Sequence, residues 1–401
     1  LYLHVPFCEQ LCLFCGCHTS VVRAEAPRRA YADLLIREIG LLAAALPGRF
    51  AVRHIHWGGG TPTALPAEAL RAVHDAILAA FDLAPGAEIA VEIDPRHLPE
   101  DRVAALAAIG LTRASLGVQD LNEAVQQAVG RVQDAATTRA AAEALRRAGA
   151  RGINLDLIYG LPHQTAESVA ETARAALGLC PDRLAVFGYA HVPWMKKHQH
   201  LLPEAALPGT VARYHQRAAI GAVLEAAGYV AIGLDHYARA DDPLARAAAR
   251  GALRRNFQGY TEDTAPVLLG LGASAIGTLP QGYVQNRPRV PDYAAALRAG
   301  CLPVARGVAL SAEDRARRAA IGQMMCEMTA DLPAIEAAHG LAPGTLRPDP
   351  DAVAPLIADG LAAWDGAALR ATAPGRPFLR CVAALFDANL GKGAGRHARA
   401  V

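Results

Sequence analysis

From Leu1 to about Tyr237 the chain alternates strand-like and helix-like segments at the pitch of a βα unit, which restricts the fold more than any other feature. The strand-like runs cover 1–7, 53–59, 88–95, 112–119, 153–160 and 183–190. Helical apolar spacing fills the gaps, as over Tyr31–Ala45, Ala67–Phe81 and Thr137–Ala148. Consecutive βα units with right-handed crossovers build a parallel sheet that curves on itself. The expected fold class is therefore α/β, a partial parallel (β/α)6 TIM-like barrel with a small mostly helical C-terminal domain. Ligands of such folds bind at the rim formed by the C-terminal strand ends, where the unusual polar residues of this chain fall.

After the barrel core, about 1–240, the pattern loosens over 241–310, and both parts are read as one domain, 1–310. The remainder, 311–401, is mostly helical. Its stretch 358–387 reads as a helix end, a short hairpin around Asp365-Gly366 and another helix, a winged-helix-like arrangement. Acidic and basic side chains balance there, whereas a wing that tracks DNA wants a positive excess. The whole chain carries a net charge of +2, which argues against a dedicated nucleic-acid binder. Apolar runs such as Leu41–Leu46 are far too short to span a membrane. No signal peptide is evident. The chain opens at Leu1, inside a strand-like run, which reads as a natural N-terminus lying further upstream. Cys180, Cys301, Cys326 and Cys381 are scattered and read as small buried hydrophobes; a reducing cytoplasm fits this usage.

The other four cysteines lie together in CEQLCLFCGC, residues 8–17. Closely spaced thiolates are soft ligands for zinc or iron–sulfur. Structural zinc pairs two short knuckles well apart in sequence, and no second knuckle exists here. Four cysteine ligands would close the site, as in electron transfer; three would leave one iron open for chemistry. A second feature is WGGGTPT, 57–63. Three glycines allow close backbone approach to a ligand, with bare N–H and C=O groups for the ends of an amino acid. The run lacks the spacing of a dinucleotide loop or a P-loop.

A Cys-x3-Cys-x-Phe-Cys run after the first strand with GGGTP after the second resembles the radical S-adenosylmethionine (SAM) enzymes. The chain is more narrowly similar to the oxygen-independent coproporphyrinogen III oxidases of haem biosynthesis. The runs that carry this likeness are YLHVPFCEQLCLFCGC (2–17), HWGGGTPT (56–63), EIDPR (92–96), SLGVQD (115–120), INLDLIYGLPHQT (153–165), FGYAHVP (187–193), LDHYAR (234–239) and RNFQGYT (255–261). The likeness is strong over 2–277 and weaker beyond. Members have an incomplete parallel barrel, a small helical C-terminal domain and an N-terminal extension not present here.

This resemblance implies that Cys8, Cys12 and Cys15 ligate a 4Fe-4S cluster and that SAM occupies the fourth iron. It places Tyr2 and Phe14 beside SAM, and Gly59, Gly60 and Thr61 at its methionine part. Glu92 would face the amino group or sulfonium, Asp156 would accept from ribose hydroxyls, and Arg131 would pair with a carboxylate as a fork. Gln119 joins this set, and Ala190 corresponds to an adenine contact. Gln258 and Ile276 correspond to positions beside a second SAM, although EDTAPVLLG (262–270) departs from the family pattern just before Ile276. Tyr2, Glu92 and Cys17 are the candidate catalytic residues. Cys17, absent from related haem chaperones, is read as a non-ligand.

The implied reaction is the anaerobic oxidative decarboxylation of two propionates of coproporphyrinogen III to vinyl groups, giving protoporphyrinogen IX. An unidentified electron donor and acceptor are required. Neither nucleic acid nor membrane is expected as a partner, and the chain is read as a cytoplasmic monomer. The substrate is a tetracarboxylate, so its pocket should offer fixed cations. Lys196 and Lys197 in HVPWMKKHQH (191–200), with His191, His198 and His200 around Trp194, are candidates for a substrate-facing rim; His236 and Arg239 are others. Two rivals are weaker. A haem chaperone would lack Cys17 and the NFQGY run, and an electron-transfer protein would not need GGGTP, Glu92 or Asp156.

Overall fold

The period-two pattern of the strands decides what this barrel encloses. In the computed structural model, which describes residues 1–390, six parallel strands form the sheet's centre. They are β1 (Tyr2–Val5), β2 (Ala51–Gly59), β3 (Asp82–Ile93), β4 (Arg113–Gln119), β5 (Gly152–Tyr159) and β6 (Arg183–Gly188). The hairpin β7 (Tyr229–Ile232) and β8 (His236–Arg239) adds antiparallel to β6, and β9 (Gly270–Leu271) pairs parallel with β1. The order is β9-β1-β2-β3-β4-β5-β6-β8-β7. Its two end strands do not pair with each other, so the barrel is partial, as expected.

Helices α1 (Glu25–Ala45), α2 (Ala67–Ala80), α3 (Glu100–Ala108), α4 (Ala135–Arg147), α5 (Ala166–Leu177) and α6 (Thr210–Ala226) follow the six strands in turn. One face of each strand packs against them: Ile55 and Trp57, Val91 and Ile93, Leu116, Leu155 and Leu184 are all buried in one core. The alternate residues point inward and are polar: His54 and His56, Glu88 and Glu92, Arg113 and Ser115, Asn154 and Asp156, and Arg183. Lumens of this architecture are ordinarily packed with branched apolar side chains. Here polar residues line a cavity of about 490 Å³. Such a lining is costly unless the groups find partners or a ligand.

Beyond β9 a three-stranded sheet, β10 (Ile276–Leu279), β11 (Gly282–Asn286) and β12 (Val304–Ala309), packs beside the barrel mouth. Buried Glu38 of α1 holds this region. Its carboxylate accepts from Gly272 N–H (2.7 Å), Asn286 Nδ2 (2.6 Å) and Tyr293 Oη (2.6 Å). A second hydrophobic cluster, including Met324, Leu369 and Phe386, gathers after residue 311. It involves the helix Ala312–Glu327, the hairpin Ala362–Trp364 and Ala368–Ala371, and the helix Leu379–Ala384. The last eleven residues of the expected C-terminal domain, 391–401, lie outside the described residues. Cys180 and Cys301 are exposed and Cys326 and Cys381 half-buried, which corrects the expectation that the scattered cysteines are buried. Among the described residues no helix is long and apolar enough to cross a membrane.

Candidate active site

A cavity of about 170 Å³ at the strand ends is where the sequence motifs converge. Its walls include Cys8, Cys12, Cys15 and Cys17, Phe14, Gly59-Gly60-Thr61, Glu92, Gln119, Arg131 and Asp156. These come from six segments spread over about 150 residues. A neighbouring cavity of about 430 Å³ is lined by Tyr2, Glu92, Gln258 and Ile276. Glu92 borders both of these and the lumen cavity. Ala190 lines none of the three.

Glu92 sits near the end of β3, with its carboxylate against the backbone of β2. Oε1 accepts from His56 Nε2 at 2.9 Å and Oε2 from Gly59 N–H at 3.2 Å. Gly58 is required for this approach, because a Cβ there would stand 2.6 Å from Oε1. Burial acts to raise its pKa, but the His56 hydrogen bond and charge, with Gly59 N–H, outweigh it and hold the carboxyl below the usual range. The side chain is 38% exposed, and what it faces is cavity.

Asp156 is held on β5 by Ser115 Oγ at 3.0 Å and Asn154 Nδ2 at 2.7 Å. Burial first, then the Glu92 charge, push its pKa up to about 6. Glu92 stays anionic and Asp156 lies near its titration point, although both line the same cavity. Tyr2 donates to His4 Nδ1 at 3.0 Å, and His4 Nε2 donates to the His18 carbonyl at 2.9 Å, which fixes the His4 tautomer. Burial, with the Glu92 charge next, raises the Tyr2 pKa far out of reach, so the phenol stays protonated.

The glycine run differs from expectation in one respect. Gly59 N–H is used by Glu92 and Gly60 N–H by the Val5 carbonyl (2.9 Å), so neither is bare. Close packing also explains these glycines: Gly59 has φ +116°, and a Cβ on Gly60 would lie 2.4 Å from the Phe7 carbonyl oxygen.

Arg131 also differs. Its fork is already filled by the chain's own Asp94, with Nη1 and Nη2 each 3.2 Å from a carboxylate oxygen. Arg96 donates to the same carboxylate from Nη2 at 2.7 Å. Both guanidinium groups reach Cys12 Sγ, at 3.4 Å from Arg131 and 3.5 Å from Arg96. Two cations thus converge on the Cys12 sulfur. Burial acts against ionised Asp94, but Arg96 and then Arg131 overcome it and bring its pKa to about 2. Asp94 and Arg96 both lie within the EIDPR run, but nothing in the sequence pattern singles them out.

Gln119 ends β4 at φ +71°, a strained conformation for a non-glycine residue. Among the described residues its buried Oε1 has no partner. A buried acceptor left open in a cavity beside three cysteines is what a bound group with a donor would complete. The donor set fits a 4Fe-4S cluster with SAM: soft thiols for iron, and an anionic carboxylate, an open amide oxygen and a second carboxylate for the polar ends of the organic ligand.

The basic segment 191–200 does not face these cavities. His191 pairs with Glu204 (3.1 Å), Lys196 donates to the Cys17 carbonyl (2.7 Å) and His198 to the Cys15 carbonyl (2.8 Å). Arg239 is exposed and pairs with Asp241 (3.2 Å). Of the cations considered for the substrate, His236 alone lines the lumen cavity, with Asp235 on its Nδ1 at 2.8 Å.

Comparisons with known proteins agree with this geometry. The profile of the radical SAM superfamily matches residues 2–176. The chain is 50% identical over 401 residues to an oxygen-independent coproporphyrinogen III oxidase of Bradyrhizobium diazoefficiens, covering all of this chain and 89% of that protein. It is 46% identical to that of Paracoccus denitrificans, covering 96% and 86%. Among solved structures, the coproporphyrinogen III oxidase of Escherichia coli, described as a radical SAM enzyme, superposes with a TM-score of 0.92 at 39% identity, covering 97% and 90%.

Proposed function

Because the chain belongs to the oxygen-independent coproporphyrinogen III oxidases, within the radical SAM superfamily, we propose how its own residues divide the work of that reaction. The reaction is the oxidative decarboxylation of two propionates of coproporphyrinogen III to vinyl groups, giving protoporphyrinogen IX, and it uses a 4Fe-4S cluster and SAM. When bound, cluster and SAM together supply the one-electron, hydrogen-abstracting chemistry. Cys8, Cys12 and Cys15 hold the cluster. Arg96 and Arg131, clamped by Asp94, hold the Cys12 sulfur in place. Cys17 is not a ligand.

Glu92 pairs with the SAM amino group or sulfonium. Its anionic state is secured by His56 and Gly59 N–H. Asp156 accepts from the ribose hydroxyls, pre-aimed by Ser115 and Asn154. Gln119 offers its open amide oxygen and Phe14 lines the ligand cavity, while Ala190, outside that lining, is placed beside the ligand by the family resemblance. Tyr2, Gln258 and Ile276 share one cavity wall with Glu92, which supports a second SAM there. The lumen cavity takes the porphyrinogen and shields the reacting carbon from water. The chain acts as a cytoplasmic monomer, reduced by a separate donor.

One observation carries this assignment: Cys8, Cys12 and Cys15 line a single cavity with Glu92, Gln119 and Asp156, and that cavity shares Glu92, Ser115 and Asp156 with the lumen cavity beside it. The test is anaerobic cluster reconstitution followed by SAM and coproporphyrinogen III, measuring protoporphyrinogen and released carbon dioxide. Both products are expected, and Glu92→Gln should lower their yield through weaker SAM binding. Haem binding without decarboxylation would contradict the assignment.

A further inference from the structure

Gln199 belongs to the short 3₁₀ turn Lys197–Leu201 that follows β6. It is fully buried, at 0% exposure. A buried amide is costly unless its groups are paired. Here every partner is backbone from elsewhere. Oε1 accepts from Val192 N–H at 2.6 Å, and Nε2 donates to the Phe14 carbonyl at 2.9 Å and to the Ala190 carbonyl at 3.2 Å. His198 and Lys196 extend the pattern to the carbonyls of Cys15 (2.8 Å) and Cys17 (2.7 Å). Three side chains within four residues therefore hold three carbonyls within four residues of the cysteine loop. The two segments are about 180 positions apart in sequence. The turn gains no cap from these side chains, since Lys196 at its N-cap makes no capping hydrogen bond.

We propose that Lys196, His198 and Gln199 form a clasp that positions the cysteine loop for SAM, with Gln199 as its central positioning residue. One amide nitrogen sets the spacing between Phe14 and Ala190, the two residues placed beside SAM above. The proposal rests on that placement. It assigns the basic segment a role on the cofactor side, away from the substrate.

The test uses the full chain, reconstituted anaerobically, and reads SAM affinity together with iron content. Gln199→Met keeps the volume and removes all three hydrogen bonds. The SAM Kd should rise about tenfold, the effect of one buried hydrogen bond lost at the ligand wall, with four irons per chain retained. The change that SAM causes in the electron paramagnetic resonance spectrum of the reduced cluster should need correspondingly more SAM.

Lys196→Ala/His198→Ala is a surface change that leaves Gln199 in place, and it serves if Gln199→Met does not fold. It should release iron to a chelator severalfold faster and raise the SAM Kd. Wild-type SAM affinity in a folded, four-iron Gln199→Met protein overturns the proposal. So does wild-type iron release together with wild-type SAM affinity in the double variant. Ala190→Trp separates the two levels. If it weakens SAM binding and the clasp variants do not, the placement of SAM stands and the clasp is refuted. If neither weakens binding, the placement itself fails and the clasp falls with it.

Discussion

Asp94→Asn removes the charge that holds two guanidinium groups on the Cys12 sulfur. In the native arrangement Asp94 accepts from Arg131 at 3.2 Å and Arg96 at 2.7 Å, and these two side chains are 7% and 8% exposed. The carboxyl pKa falls from 3.8 to about 2 in the folded protein, worth about 2 kcal/mol at neutral pH. Because the folded pKa is depressed, that contribution is complete above about pH 4 and is lost as pH falls through 2. Breaking a buried pair costs more than the linkage value, about 3–5 kcal/mol, because the partner charges stay buried.

The assay is a double-mutant cycle on the cluster-free protein with Asp94→Asn, Arg131→Gln and both, followed by urea unfolding at pH 7. A coupling of about 1.5 kcal/mol or more is expected for groups in direct contact. Reconstituted Asp94→Asn should also lose its cluster faster to a chelator. Coupling near zero with normal cluster retention would refute the idea that Asp94 organises the cations around Cys12.

Gly58→Ala should separate folding from ligand binding. The atoms nearest the new methyl group are the flexible end of Glu92, so stability should change by less than about 1 kcal/mol while the displaced carboxylate loses His56 and Gly59 and SAM affinity drops roughly tenfold; unchanged SAM binding would remove Glu92 from the ligand site. Asp156→Asn should stabilise the cluster-free protein at pH 7.5 and lose that advantage near pH 4, because a carboxyl raised from 3.8 to about 6 favours the folded state below pH 4 and disfavours it, by about 3 kcal/mol, once ionised. Thermal melting at the two pH values checks this, and an equal effect at both would contradict the elevated pKa.

The barrel was legible because it is written locally. Alternation such as His54-Ile55-His56-Trp57 sets one face towards the helices and one towards the lumen, and all six expected strands lie where that pattern placed them. The same alternation marks His56 as a lumen residue, on the face that carries Glu92 in the next strand. Arg131 was found by resemblance, but its partner was not, because Asp94 is 37 positions away and no local pattern links them. Gln199 is harder still. In HVPWMKKHQH it looks like one more polar residue in a solvated basic loop. Only the return of that loop onto a segment 185 positions earlier buries its amide. Side chains that act through long-range backbone contacts leave no periodicity to read.

The proposed assignment gives iron three of the four clustered thiols and keeps one cluster position for SAM. Iron and sulfide content, with the electron paramagnetic resonance spectrum of the reduced protein with and without SAM, distinguishes three ligands from four in Cys17→Ser and Cys15→Ser. Four irons and a SAM-dependent spectral change are expected in Cys17→Ser, and loss of the cluster in Cys15→Ser. Loss of the cluster in both would mean four cysteine ligands and a closed site, and would contradict the assignment.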